Sequence, residues 1–143
     1  YNVGKGRAQG AELEAGLELQ PGLTTSFAYS YTDTENRTPG DPDRGNRFAR
    51  RPEHLVTASL DWDENDRLAL GLDIRWNGAA WDDRGNHSRL ESYVLGDVRA
   101  SWRVHDRVEL FGRVENLWNE RYVIAAGYGT EGRAAYVGVR LRK

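Results

Sequence analysis

Apolar residues recur at every second position through most of this chain, and a period of two is the pattern of a strand, not of a helix. Ala11, Leu13, Ala15, Leu17 and Leu19 alternate with Glu12, Glu14, Gly16, Glu18 and Gln20 until Pro21-Gly22 signals a turn. Thr25, Phe27, Tyr29 and Tyr31 alternate with Ser26, Ala28, Ser30 and Thr32. Val56, Ala58, Leu60 and Trp62 oppose Leu55, Thr57, Ser59 and Asp61, and Leu68, Leu70, Leu72, Ile74 and Trp76 oppose Ala69, Gly71, Asp73, Arg75 and Asn77. Val94, Gly96, Val98, Ala100, Trp102 and Val104 oppose Leu95, Asp97, Arg99, Ser101 and Arg103. Val108, Leu110, Gly112 and Val114 oppose Glu109, Phe111, Arg113 and Glu115, and Ala135, Val137, Val139 and Leu141 oppose Tyr136, Gly138, Arg140 and Arg142. The pattern predicts seven strands and no helix.

Charge falls almost wholly on one face of these strands: Glu12, Glu14, Glu18, Asp73, Arg75, Asp97, Arg99, Arg103, Arg113, Glu115 and Arg140 all sit opposite the apolar rows. Connections also alternate in length. Pro21-Gly22, Asp63-Glu64-Asn65-Asp66 and His105-Asp106-Arg107 are short, whereas Asp33 to Pro52, Gly78 to Ser92 and Asn119 to Gly132 are long. A transmembrane β-barrel has that asymmetry, with short periplasmic turns and longer extracellular loops. Trp62, Trp76 and Trp102 end their apolar rows, and Tyr29 and Tyr31 come late in theirs. Aromatic girdles at the two membrane interfaces call for such placement. The pattern leaves two architectures open: a barrel wall whose apolar face meets lipid, or a soluble sandwich whose apolar face meets a second sheet.

Composition narrows the function. Twenty basic and 22 acidic residues leave a net charge of -2, so no overall field favours nucleic acid. Mean hydropathy is -0.76, low for a globule with a thick core. Without cysteine there is no disulfide framework, thiolate metal site or cysteine nucleophile. No run approaches the ~18 apolar residues of a membrane-spanning helix, and Tyr1-Asn2-Val3-Gly4-Lys5 carries no apolar run of the signal-peptide kind. A barrel remains compatible, since its strands are only half apolar.

Catalytic patterns are missing. His54, His87 and His105 occupy separate turns or strand starts without HxH or HExxH spacing, so surface imidazoles are expected and no metal site. Gly127-x-Gly129-x-x-Gly132 satisfies GxGxxG formally, but a strand follows it where a dinucleotide site needs a helix, so it is a glycine-rich hairpin loop. No GxSxG is present. Asp82-Asp83, or Asp41 with Asp43, offers oxygen ligands of the kind calcium takes, but the spacing does not fit an EF-hand. The chain is expected not to be an enzyme and to hold no resident cofactor.

Several segments carry a family resemblance. Gln9-Gly10-Ala11-Glu12-Leu13-Glu14 resembles the glycine-hydrophobe-glutamate strand of TonB-dependent outer-membrane receptors, and Arg51-Pro52-Glu53-His54 resembles their loop-to-strand entry. Asn116-Leu117-Trp118-Asn119-Glu120-Arg121-Tyr122 is similar to their Asn-Leu-Phe-Asp-x-x-Tyr pattern, with tryptophan for phenylalanine. Gly127-Tyr128-Gly129-Thr130 and Gly132-Arg133 look most like the vitamin B12 receptors of that family. The resemblance implies an all-β, antiparallel up-and-down barrel of about 22 strands with a plugged lumen, of which residues 1–143 would be the last seven strands, without the plug and the earlier wall. It implies a bacterial outer-membrane location and the barrel lipid as surroundings. It also implies energy from the TonB complex acting through the plug, and a cargo of cobalamin or, as the alternative, a ferric siderophore. A passive porin-like barrel is a further alternative. One departure is the end Arg140-Leu141-Arg142-Lys143, where the family usually carries an aromatic residue.

On a rigid barrel, loops carry binding and strands carry the wall. Trp81, Asp82, Arg84, Asn86 and Tyr128 combine flat apolar area with hydrogen-bonding groups, a mixture that suits a corrinoid or a siderophore, and are the candidate ligand contacts.

Overall fold

Each alternating run is a strand in the computed structural model, which describes residues 4–64 and 67–142. Tyr1 to Val3, Lys143 and the Asn65-Asp66 part of one predicted turn lie outside the described residues. In chain order the strands are β1 (Gly6–Gln20), β2 (Leu23–Asn36), β3 (His54–Glu64), β4 (Leu68–Asn77), β5 (Ala80–Trp81), β6 (Arg89–Leu90), β7 (Tyr93–His105), β8 (Val108–Glu115) and β9 (Ala134–Leu141). Seven of them form one antiparallel sheet in the order β1-β2-β3-β4-β7-β8-β9, and β5 pairs with β6 as a small separate hairpin. The loop expected from Gly78 to Ser92 therefore carries a hairpin of its own.

The register makes the two faces continuous. Leu17, Thr25, Leu60, Leu72, Val98, Val114 and Ala135 are successive cross-strand partners and so form one row across all seven strands. A slip of one residue in any pair would send that strand's charges to the apolar side. The apolar face is open: Val137 is 91% exposed and Leu17 64%, while Leu90 and Leu95 are the only buried hydrophobic residues among those described. A sandwich needs a second sheet over this face, and all seven long strands are already used in the first. The sheet is a section of barrel wall whose apolar side requires lipid.

Aromatic residues bracket that side. Trp76 lies opposite Val56, which neighbours Tyr29 across β2, and at the other end Trp102 lies opposite Leu68 and Trp62 opposite Leu70. From Trp76 to Leu68 is eight residue steps along β4, about 26 Å of strand at ~3.3 Å per residue, or roughly 20 Å of height at a tilt near 40°. That matches the scale of a bilayer's apolar band. His54 joins the girdle beside the loops: the Tyr29 hydroxyl lies 2.9 Å from its Nδ1, and its ring stacks on Tyr29 and Trp76 at 6.0 and 6.3 Å. The reading of His54 as a plain surface imidazole is thus replaced by a place in an aromatic cluster.

On the opposite face the charges of β3, β4 and β7 pair with one another. Arg99 pairs with both Asp61 and Asp73, over Gly71, where an added Cβ would stand 2.8 Å from Arg99 Cγ. Arg75 pairs with Asp97 at 2.7 Å. Such half-exposed pairs contribute at most about 1 kcal/mol each; they balance charge across β3, β4 and β7, while Glu12, Glu14 and Glu18 of β1 have no ion pair among the described residues.

One boundary differs from expectation. β2 continues through Asp33 to Asn36, residues whose composition reads as loop, because the backbone of Gly6 to Gln9 pairs with them. Above the lipid Asp33 and Glu35 on one face meet water while the first loop covers Thr34 and Asn36 on the other, so apolar alternation stops while pairing goes on.

Leu72→Arg at mid-height of the lipid face is expected to destabilise a lipid-embedded barrel by about 2–4 kcal/mol, with Thr57→Arg on the other face nearly neutral. Denaturant titration in lipid vesicles reads the difference, and equal losses would mean the apolar face does not meet lipid.

Candidate functional site

Three long connections leave the same end of the sheet: residues 37–53, 78–92 and 116–133. The first two are docked on each other by polar side chains. Asn86, in the left-handed region at φ 57°, accepts the Arg47 N–H on Oδ1 at 2.8 Å and donates Nδ2 to the Arg47 carbonyl at 3.1 Å. Its amide thus acts as a one-residue strand neighbour. Arg84 reaches Asp41 at 2.7 Å and Asp43 at 3.7 Å, and its carbonyl accepts Asn46 Nδ2 at 3.1 Å. Arg50 donates Nε to Asp82 at 2.8 Å and its N–H to the Trp81 carbonyl at 2.5 Å.

Two loop carboxylates are held below the usual range. Asp41 is lowered first by the Asp43 N–H and the Asn36 side chain, and then by Arg84, against an opposing cost of burial. Asp83 is lowered first by the Ser88 N–H, 2.6 Å away, with further help from the His87 N–H. The cation between Asp41 and Asp43 is the Arg84 guanidinium.

The third loop is organised around Asn116, which is 5% exposed. Its Oδ1 accepts the Glu120 N–H at 2.7 Å, its Nδ2 donates to the Glu120 carbonyl at 2.9 Å, and its own N–H reaches Asp97 at 2.9 Å. Both Asn116 and Asn119 take positive φ, 50° and 55°, a conformation asparagine tolerates better than most residues. Asn119 Oδ1 accepts the Arg133 N–H at 2.9 Å, tying the loop's start to its return. Trp118 folds back over Gly96, where an added Cβ would lie 2.2 Å from the ring, and donates Nε1 to the Val94 carbonyl at 2.8 Å. Tyr122 packs on Tyr93 with ring centres 4.5 Å apart. The Asn-Leu-Trp-Asn-x-x-Tyr spacing is thereby explained: two turn-forming amides and two aromatic anchors clamp a loop to the wall.

Four of the five sequence candidates come together. Trp81, Asp82, Arg84 and Asn86 all lie in the clamp between the first two loops, engaged by Arg50, Asp41 and Arg47. Tyr128 stands apart in the third loop, 69% exposed, in a turn closed by its N–H on the Ala125 carbonyl at 3.2 Å. Val123 and Ile124 are exposed near it in sequence, at 44% and 54%. Composition passed over Arg47, Arg50 and Asn116. The signal for Asn116 was its place in the quoted motif. For the arginines, only the excess of positive charge in one loop facing acid in the next could have pointed to them.

This geometry defines a class: the loop-bearing wall of a transmembrane β-barrel, with lipid on one face and a charged aqueous lumen on the other. The family model for the TonB dependent receptor-like β-barrel matches residues 1–117, and the chain belongs to that family of bacterial outer-membrane transport receptors. Vitamin B12 transporter BtuB of Photobacterium profundum is 28% identical over 138 residues, covering 94% of this chain and 21% of that protein. Among solved structures, the siderophore receptor PiuA from Acinetobacter baumannii superposes with a TM-score of 0.81 at 25% identity, over 95% of this chain and 22% of that one. The ferric citrate transporter FecA in unliganded form gives 0.84 at 20% identity, over 95% and 24%. The chain therefore spans about a fifth of the length of the curated relative it matches. Membership sets aside the sandwich, and in an outer-membrane barrel the short-turn end lies toward the periplasm and the long-loop end outside.

Asn86→Ala is expected to release the first two loops, with hydrogen exchange rising across residues 37–53 and 78–92 and little change in the strands. Depressed carboxylates stabilise above their unfolded value, 3.8 for Asp41 and Asp83, and the gain disappears as pH falls through the lower folded value. Loop protection should hold from pH 8 to about 5 and fall away only below about 4.

Proposed function

We propose that this chain is the loop-bearing section of a receptor for active uptake of a scarce nutrient, with cobalamin as cargo. What supports cobalamin is the third loop: its Gly127-Tyr128-Gly129-Thr130 and Gly132-Arg133 segments are of the B12-receptor kind, and it presents Val123, Ile124 and Tyr128 exposed at the outer end. Likeness to a vitamin B12 transporter over 94% of the chain points the same way. A corrinoid offers a broad apolar face ringed by amides, which a tyrosine ring with flanking aliphatic residues can cover. In this reading Tyr128 touches cargo. Trp81, Asp82, Arg84 and Asn86 contribute from the neighbouring clamp, whose rigidity lowers the ordering cost of binding.

Uptake then proceeds by conformational change: cargo binds on the loops, and the TonB complex acts on a plug in the lumen. The wall supplies containment and loops, with no covalent step. The unpaired outer edges of β1 and β9 are closed by further strands of the same barrel. The second reading, a ferric siderophore, is favoured by the siderophore receptors among the structural relatives.

Titration of the full-length receptor with cobalamin and with ferric siderophores, read by tryptophan fluorescence, separates the two. Cobalamin should bind, and Tyr128→Ala should weaken it about 5- to 30-fold, the loss of one well-buried aromatic contact. Binding of a ferric siderophore without cobalamin would decide for the second reading.

A further inference from the structure

On the lumen face at the periplasmic end, a cavity is lined by Arg67, Arg103 and Arg142 and, among the described residues, by the two carboxylates Asp63 and Glu109. Glu109, with a side chain 9% exposed, has both oxygens engaged, by Arg140 of β9 at 2.7 Å and by Arg142 just beyond that strand at 2.6 Å. Arg103 is its register partner on β7, on the other side, and is left over. Its Nε is buried with no hydrogen-bond partner, the only such side-chain atom among the described residues. The backbone fixes it there, because the Arg103 N–H is donated to the Arg67 carbonyl at 2.7 Å. A cavity of about 200 Å³ opens between Arg67, Arg103, Arg142 and the Glu109 carboxylate.

A buried donor without a partner is costly, and more so when the group is charged. Elsewhere on this face the arginines are paired or stacked: Arg75 and Arg99 on aspartates, Arg113 on Glu115 and over the Tyr136 ring. The excess positive charge is thus local to the rim. Arg103 points away from the Trp102 side, so a membrane lipid phosphate does not reach it.

We propose that this cavity is an oxyanion site, taking a carboxylate or phosphate group on the Arg103 fork, with Arg67 and Arg142 alongside. Guanidinium geometry matches both groups in two-point fashion. Two sources supply that chemistry at the periplasmic rim: an acidic side chain from polypeptide outside residues 4–142, or free phosphate.

The test uses the full-length receptor in detergent micelles, titrated with inorganic phosphate against chloride at equal ionic strength. If the anion is free, phosphate raises the melting temperature by about 2–4 °C, and Arg103→Gln and Arg67→Gln abolish the rise. If it is tethered, phosphate has no effect on the unsubstituted receptor. Arg103→Gln then raises hydrogen exchange in a segment outside residues 4–142, while Arg103→Lys, which keeps the charge, retains most of the protection. Arg67 is exposed at the rim, so its variant reports even where Arg103→Gln fails to fold. Glutamine variants that match the unsubstituted receptor in both readouts overturn the site.

Discussion

Hydrocarbon offers no partner to a backbone N–H or carbonyl, so a wall that crosses it must satisfy every such group within itself. That demand organises the whole sheet. Each long strand except the two at the edges is paired on both sides, the short turns return the chain at one end, and the irregular backbone is confined to the other end, above the aromatic girdle. Register then follows from the environment on each side, because a one-residue slip would place Asp73, Arg75 or Arg99 in lipid.

The consequence is an inside-out distribution. Among the described residues the buried polar Thr34, Asn36, Glu109 and Asn116 outnumber the buried hydrophobic pair Leu90 and Leu95, while leucines and valines cover the outer surface. Stability of the loops cannot come from an apolar core and comes instead from amides that imitate backbone. Asn86 bonds Arg47 as a neighbouring strand would, and Asn116 closes its own loop on Glu120 while holding Asp97. Loops held in this way stand as a pre-arranged surface at the outer end of the wall.

Legibility of the candidate site was uneven for a physical reason. Trp81, Asp82, Arg84 and Asn86 could be singled out because their mixture of aromatic and polar groups is unusual for a connecting segment. That they face Arg47, Arg50 and Asp41 depends on contacts more than 30 residues apart in sequence, which no local pattern encodes. Tyr128 was equally visible by composition, yet the fold leaves it in a separate loop.

By itself the sequence determined the seven wall strands, their faces and the inside-outside polarity of the wall, though not the β5–β6 hairpin, because side-chain alternation is a local property set by the pleat. It also carried the family motif around Asn116. Tertiary structure decided where strands stop, as with Asp33 to Asn36, which pair although their composition reads as loop. It decided as well which loop charges meet, and that Arg103 Nε is left without a partner while Glu109 takes Arg140 and Arg142. Pairing across strands depends on which backbones lie side by side, and that is settled only when the whole sheet assembles.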